Sequence, residues 1–314
     1  MKTERAWGWP IALDLFLAGL GGGIMIVSAV ADLIFGTGDL FLPASFAATV
    51  LLAIGASLLV FELGRPFQFL RVFSLQKAIM TFGSYMLSLL IAVSFAYGTF
   101  LFSFLPWHAM EGLRQVVAAI GLLLGVGVVV YTGVLPASMK SRPFWHGPAL
   151  PVLFMVSAIS NGIAVQYLLV HVLSPGNVIG INVVAIMEGL LTAANIMLLL
   201  VELIVLFIYV LTMRASAAPP AAQAANAWLT GRQKLAFWVG LVVIGLVAPL
   251  VLYAVGMNIT WILASAGVLI GGTVLRFLIV YSGDRRLLPG EAEFLAKLPN
   301  GDEEFLHAWE GMKS

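Results

Sequence analysis

Apolar residues run along this protein in long, nearly unbroken blocks separated by short polar loops. The blocks fall at about 10–35, 44–63, 79–103, 115–135, 148–173, 184–211, 234–256 and 259–281. Each reaches the roughly 20 apolar residues that a helix needs to cross a membrane. None alternates with period two as the strands of a membrane barrel do, so the pattern predicts an all-α, polytopic protein of eight transmembrane helices. Composition agrees: 61% of the 314 residues are hydrophobic and 10% charged, against about a quarter charged in a soluble domain. Lys2 and Arg5 before an apolar run, with Ser28–Ala31 resembling a cleavage site, have the layout of a signal peptide. The run is too long for one and Asp14 interrupts it, so a first span is expected instead. The organisation that follows is a membrane domain over 1–283 and a short soluble tail over 284–314 that docks on a partner. The alanine- and proline-rich stretch 215–231 has the composition of a flexible loop.

The polar residues inside the blocks carry the information, because an ionisable group within a span is costly and marks function by default. Trp7 and Trp9 anchor the start of the first span at the interface. Asp14 and Asp32 follow, five helical turns apart on one face, or roughly 27 Å. Gly19 and Gly21 to Gly23 between them allow a neighbouring helix to approach closely. The second span closes on Glu62-Leu63-Gly64-Arg65-Pro66, an acid and an arginine beside a helix stop, which reads equally as a surface ion pair. The fifth span carries Ser157, Asn161 and His171 on about one face, and the sixth carries Glu188, Asn195 and Glu202 at intervals of seven, one stripe down one helix. Glu202 has an alternative use, the neutralisation of Arg276 in the eighth span. The loop after the fourth span gathers Lys140, Arg142, Trp145 and His146, with Tyr131 about one turn inside the membrane. A basic surface cluster above a phenol is able to hold the head group of a lipid-soluble molecule.

Cysteine is absent, which excludes disulfides, Cys-ligated zinc and any iron–sulfur cluster held by this polypeptide. Haem and other metals are disfavoured, since His171 is the single histidine inside a span. No nucleic-acid partner is expected. With an even number of spans the termini share a side, and Lys2, Arg5, Arg65, Arg71, Lys77, Lys140, Arg142, Arg214, Arg232, Lys234, Arg285 and Arg286 lie on it, against Arg114 on the other. The excess predicts that both termini are cytoplasmic.

Several segments together are similar to one family. Trp7-Gly-Trp-Pro-Ile-Ala-Leu-Asp14 with LFLAGLGGG, Glu62-Leu-Gly-Arg-Pro66, Tyr131-Thr-Gly, Arg142-Pro-Phe-Trp145, LPVLFMVSAISNG and LIGGTVLRFLIVYSG resemble the NrfD/polysulfide reductase membrane subunits. The resemblance covers all eight spans and leaves out the tail. It implies two four-helix bundles in a prokaryotic inner membrane and a bound quinone, menaquinone or ubiquinone, near Asp14 and Tyr131. It also implies a ferredoxin-like iron–sulfur subunit and a molybdopterin catalytic subunit as partners. Asp14 stands where the family often has tyrosine or histidine, and Gly36 to Pro43 lacks the basic residues of members whose catalytic side is extracytoplasmic.

Quinol oxidation requires a hydrogen-bond donor to the head group, a proton acceptor and an apolar cleft. Tyr131 and Asp14 are the candidate donor and base, and Trp9, Arg65 and His146 complete the candidate quinone-binding set. Asp32, Glu62, Asn161, Glu188, Glu202 and Arg276 form either a proton path or structural ion pairs. Two other classes stay open: a proton or ion conductor using those residues, and a purely structural anchor.

Overall fold

The computed structural model describes residues 7–62, 79–173 and 181–283. Among them are eight helices long and apolar enough to cross a membrane: Trp9–Phe35, Gly38–Val60, Thr81–Leu101, Glu111–Ala137, Ala149–His171, Val183–Arg214, Ala236–Val255 and Ile259–Tyr281. These are the eight predicted blocks with their ends moved by a few residues. The protein is a multi-pass, all-helical membrane protein. The tail and Arg65 lie outside the described residues, as do the side chain of Glu62 and much of the second loop.

The first helix, α1 (Trp9–Phe35), is the most buried span. It packs on α2 (Gly38–Glu62), α4 (Glu111–Ala137), α5 (Ala149–Leu173) and the last helix, while α3 (Ile79–Gly98) joins α2 to α4. Glycines at the crossings explain how one helix can touch so many others. A Cβ on Gly22 would fall 2.8 Å from Val129 Cγ2 and 3.2 Å from the Gly125 carbonyl, and a Cβ on Gly23 would run into the backbone of Ala158. Backbone-to-backbone packing of this kind holds membrane helices together where no hydrophobic gradient exists to do so. At the end of α1, Gly36 takes a left-handed conformation with φ of 65°. Its N–H is thereby returned to the Asp32 carbonyl at 3.1 Å, and that of Thr37 to the Ala31 carbonyl at 3.2 Å.

In the second half, α6 (Ile181–Arg214) packs on α5. The stretch 215–231 is not the loop that its composition predicts. Pro219 and Pro220 occupy the first turn of a helix, α7 (Pro219–Leu229), where a missing N–H is not needed. Ala221, Ala224, Ala225 and Trp228 then fall on one buried face at helical spacing. Trp228 packs edge-on against Phe144 and donates its indole N–H to Ser282 Oγ at 2.7 Å. The seventh span begins as a π-helical turn series, Ala236–Val247, and continues as α8 (Ala248–Val255) from Pro249, which has no N–H to extend that ladder. The eighth, α9 (Asn258–Tyr281), packs on the π-helical stretch, α8, α5 and α1.

One end of the molecule is closed by aromatic rings. Trp7 packs on Trp145 at 4.7 Å between ring centroids, Trp145 donates to the Ile279 carbonyl at 2.7 Å, and the Tyr209 hydroxyl donates to the Phe144 carbonyl. Residues before α1, between α4 and α5, at the end of α6 and at the end of α9 therefore meet at the same end, as alternating spans require.

Candidate functional site

Asp14 and Tyr131 come from helices far apart along the sequence, α1 and α4, which pack on each other. Asp14 is buried and Tyr131 half-buried. Two glycines make the space. On α2, a Cβ at Gly55 would lie 3.1 Å from Asp14 Oδ1 and 3.3 Å from Leu17 Cβ. On α3, a Cβ at Gly83 would overlap the Tyr131 ring. α1 and α4 thus supply an acid and a phenol, and α2 and α3 leave room beside them by carrying glycine. Chemically the pair offers a hydrogen-bond donor and a proton acceptor within an apolar helix packing.

Trp9 is exposed at the start of α1. Trp145 is fully buried with Arg142 stacked over its ring at 5.0 Å, so it holds the loop in place instead of facing a ligand. His146 is exposed, and its Nδ1 lies 3.0 Å from the Ala137 carbonyl at the end of α4. The loop expected to form one surface cluster is therefore half core.

The stripe on α6 meets a matching row on α5. Glu188 lies 3.5 Å from His171, Asn195 Oδ1 accepts from Ser160 at 2.7 Å, and Glu202 is buried further along the same stripe. Asn195 also donates to the Tyr253 hydroxyl at 3.1 Å, which contacts Ser265 at 2.9 Å. Arg276 of α9 donates to Ser157 Oγ at 2.5 Å and to the carbonyls of Gly272 at 3.2 Å and Phe154 at 3.3 Å. Asn161 donates to the Ser157 carbonyl at 2.5 Å, and its Oδ1 has no hydrogen-bond partner among the described residues.

Asp32 is bound at the other end of α1. Arg114 grips it with two N–H groups, Nε to Oδ2 at 3.1 Å and Nη2 to Oδ1 at 3.0 Å, and Tyr97 donates its hydroxyl at 3.0 Å. Arg114 also reaches Asp39. The arginine that stood alone on its side of the loop-charge comparison is therefore buried between two acids.

Among the described residues there is no group of three or more His, Cys, Asp or Glu placed to hold a metal ion. Sequence reasoning missed Gly55, Gly83, Tyr97, the part of Ser157 in holding Arg276 and the clamping role of Arg114. Gly83 and Gly55 had no signal of their own in a protein with 32 glycines. Arg114 had one, a lone cation opposite two acids.

The sequence profile of the family described as "Polysulphide reductase, NrfD" matches residues 1–287. This protein belongs to the NrfD family. The C subunit of polysulfide reductase from Wolinella succinogenes is 30% identical to it, over 88% of this sequence and 94% of that protein. Protein NrfD of Escherichia coli is 28% identical and the NrfD homolog of Haemophilus influenzae 27%, each over the same shares of the two sequences. The NrfD match takes in all four helices around Asp14 and Tyr131 and the whole α5–α6–α9 seam. It stops near the start of the tail.

Proposed function

We propose that this NrfD-family protein is the quinone-reactive membrane subunit of a multi-subunit oxidoreductase. It exchanges electrons between the membrane quinone pool, menaquinone or ubiquinone, and an iron–sulfur partner subunit. The observation that carries this reading is the placement of Asp14 and Tyr131 on two helices that pack on each other, with Gly55 leaving room beside the acid and Gly83 beside the phenol. The donor and acceptor set fits a quinone head group, which when bound in its reduced form supplies two electrons and two protons. Tyr131 would donate its hydroxyl hydrogen to a head-group oxygen and orient the ring. Asp14 would take a proton at its carboxylate and pass it on. The surrounding apolar helices keep bulk water from the pair. Since the protein has no cysteine, the electrons leave through clusters on a partner, a ferredoxin-like subunit that serves a molybdopterin catalytic subunit. Membership of such an assembly is supported by the likeness to a protein named as a part of polysulfide reductase. The test is purification with its partners from a prokaryotic inner membrane, followed by measurement of cluster reduction on addition of quinol. Iron should copurify, and the clusters should be reduced only when this subunit is present. A preparation without iron, or with quinol-independent reduction, would overturn the reading.

The loop charges support an orientation with both termini in the cytoplasm, and the same side would face the partner. A cytoplasm-active reporter fused after Ser314 should be active, and a phosphatase that requires the periplasm should be silent. The opposite pattern would place the partner outside.

A second reading has its own observation. The seam from His171–Glu188 through Asn195 to Glu202 and Arg276 runs along α5 and α6 and leaves Asn161 Oδ1, Tyr167 Oη, Thr192 Oγ1 and Arg276 Nε without hydrogen-bond partners among the described residues. Buried polar atoms of this kind are the places where ordered water resides, and a line of such waters would conduct protons. Glu202→Gln separates the two uses. If the buried carboxyl serves only to balance the charge of Arg276, assembled complex should decrease while its turnover per subunit stays unchanged. If the seam carries protons, turnover should fall in complex that assembles normally.

A further inference from the structure

We propose that the cleft between α7, the π-helical start of the seventh span and the last turns of α9 binds an anionic phospholipid. The cleft has a volume of about 710 Å³, within the range of small-ligand sites. It lies at the aromatic end of the molecule, the end that carries Arg214, Arg232 and Lys234.

Its two walls differ in chemistry. Arg232 and Gln223 are exposed at its polar side, and Gln233 is held beside them by a hydrogen bond from Ser282 Oγ at 2.9 Å. Among the described residues none of those lining the cleft is acidic, and Arg232 is the charged one. A guanidinium with no carboxylate among its neighbours in the cleft, beside two amides able to donate, selects a phosphate oxygen. The opposite wall is Val274 and Phe277 of α9, and the small residues of α7 and the π-helical stretch leave the width between the helices. From Thr273 to Ser282 the lining residues of α9 span roughly 14 Å along its axis. That is about the depth of one hydrocarbon leaflet. The cleft is thus polar and cationic at the depth of head groups and apolar at the depth of acyl tails. Basic pockets between transmembrane helices are suited to such lipids.

Other occupants fit less well. A quinone has a neutral head group and gives the guanidinium no charge to meet. Inorganic phosphate would use Arg232 and leave the apolar wall to water.

The purified complex is stripped with detergent and returned to nanodiscs of phosphatidylcholine alone or with phosphatidylglycerol. Native mass spectrometry then reads the lipid retained by the complex. Phosphatidylglycerol should be retained in preference to phosphatidylcholine, and Arg232→Glu should weaken that retention by roughly fivefold or more, with Arg232→Lys restoring most of it. Arg232 is exposed, so these variants should fold, which thermal unfolding in detergent checks. Phe277→Ala should lower retention while leaving the preference for an anionic head group. Equal retention of the two lipids, or retention of phosphatidylglycerol unchanged by Arg232→Glu, would overturn the proposal. So would equal stabilisation by inorganic phosphate, which would mean an anion site without a lipid. None of these outcomes depends on quinol oxidation, so this proposal and the proposed function can fail separately.

Discussion

Asp14→Asn should lower quinol-dependent electron transfer by roughly 10²-fold or more, the usual contribution of a general base, while quinone affinity changes little. Asparagine keeps the shape of the side chain, so the fit beside Gly55 and Leu17 is retained, but it takes no proton. Tyr131→Phe should act differently. It keeps the ring over Gly83 and removes one hydrogen bond, worth about 0.5–1.5 kcal/mol net, so affinity should fall several-fold and turnover at saturating quinol should hold. The contrast between a turnover defect and an affinity defect is what the proposed division of roles requires. The measurement is quinol-driven reduction in assembled complex, normalised to the amount of this subunit. Unchanged rates in both variants would remove the site from Asp14 and Tyr131, and Glu62, Arg65 and His146 would be the next residues to change.

The spans were legible because membrane insertion depends on composition over about 20 residues, and composition is local. Which face of each span packs inward was not. A lipid-facing surface is as apolar as a helix-facing one, so no amphipathic stripe distinguishes them. Asp14 and Tyr131 were each visible as a polar group in an apolar run. Their neighbourhood depends on Gly55 and Gly83, which in sequence look like any glycine of a membrane helix. The seven-residue interval of Glu188, Asn195 and Glu202 identified one face of α6, and only the structure shows that His171 and Ser160 of α5 answer the first two. Trp145 misled in the other direction. Its place in a basic loop suggested exposure, whereas its indole N–H is spent on the Ile279 carbonyl and its ring is covered by Trp7. The helix α7 was hidden because alanine and proline in bulk resemble a linker, and only the positions of Ala221, Ala224, Ala225 and Trp228 distinguish a buried face.

Arg114→Gln should destabilise the protein by about 3–5 kcal/mol, the usual result of leaving a buried charge without its partner. Asp32 is fully buried and Arg114 nearly so, and two of the arginine's N–H groups close on one carboxylate. The carboxylate also has little room to turn toward water, since a Cβ on Gly38 would lie 2.7 Å from its Oδ2. With the arginine gone, the Tyr97 hydroxyl alone would answer the charge. Asp39→Asn should cost no more than about 1 kcal/mol, because the Asp39 side chain is 70% exposed and Arg114 keeps Asp32. Adding Asp32→Asn to Arg114→Gln should recover part of the loss by removing the stranded charge. Unfolding in detergent and the yield of assembled complex measure all of these variants. Equal losses for Arg114→Gln and Asp39→Asn would show that the buried bridge contributes nothing special. The single variant Asp32→Asn then decides between clamp and proton route: a clamp loses stability and keeps turnover per assembled subunit, whereas a route loses turnover in a protein that remains stable. The bidentate geometry, with both Asp32 oxygens already engaged, favours the clamp.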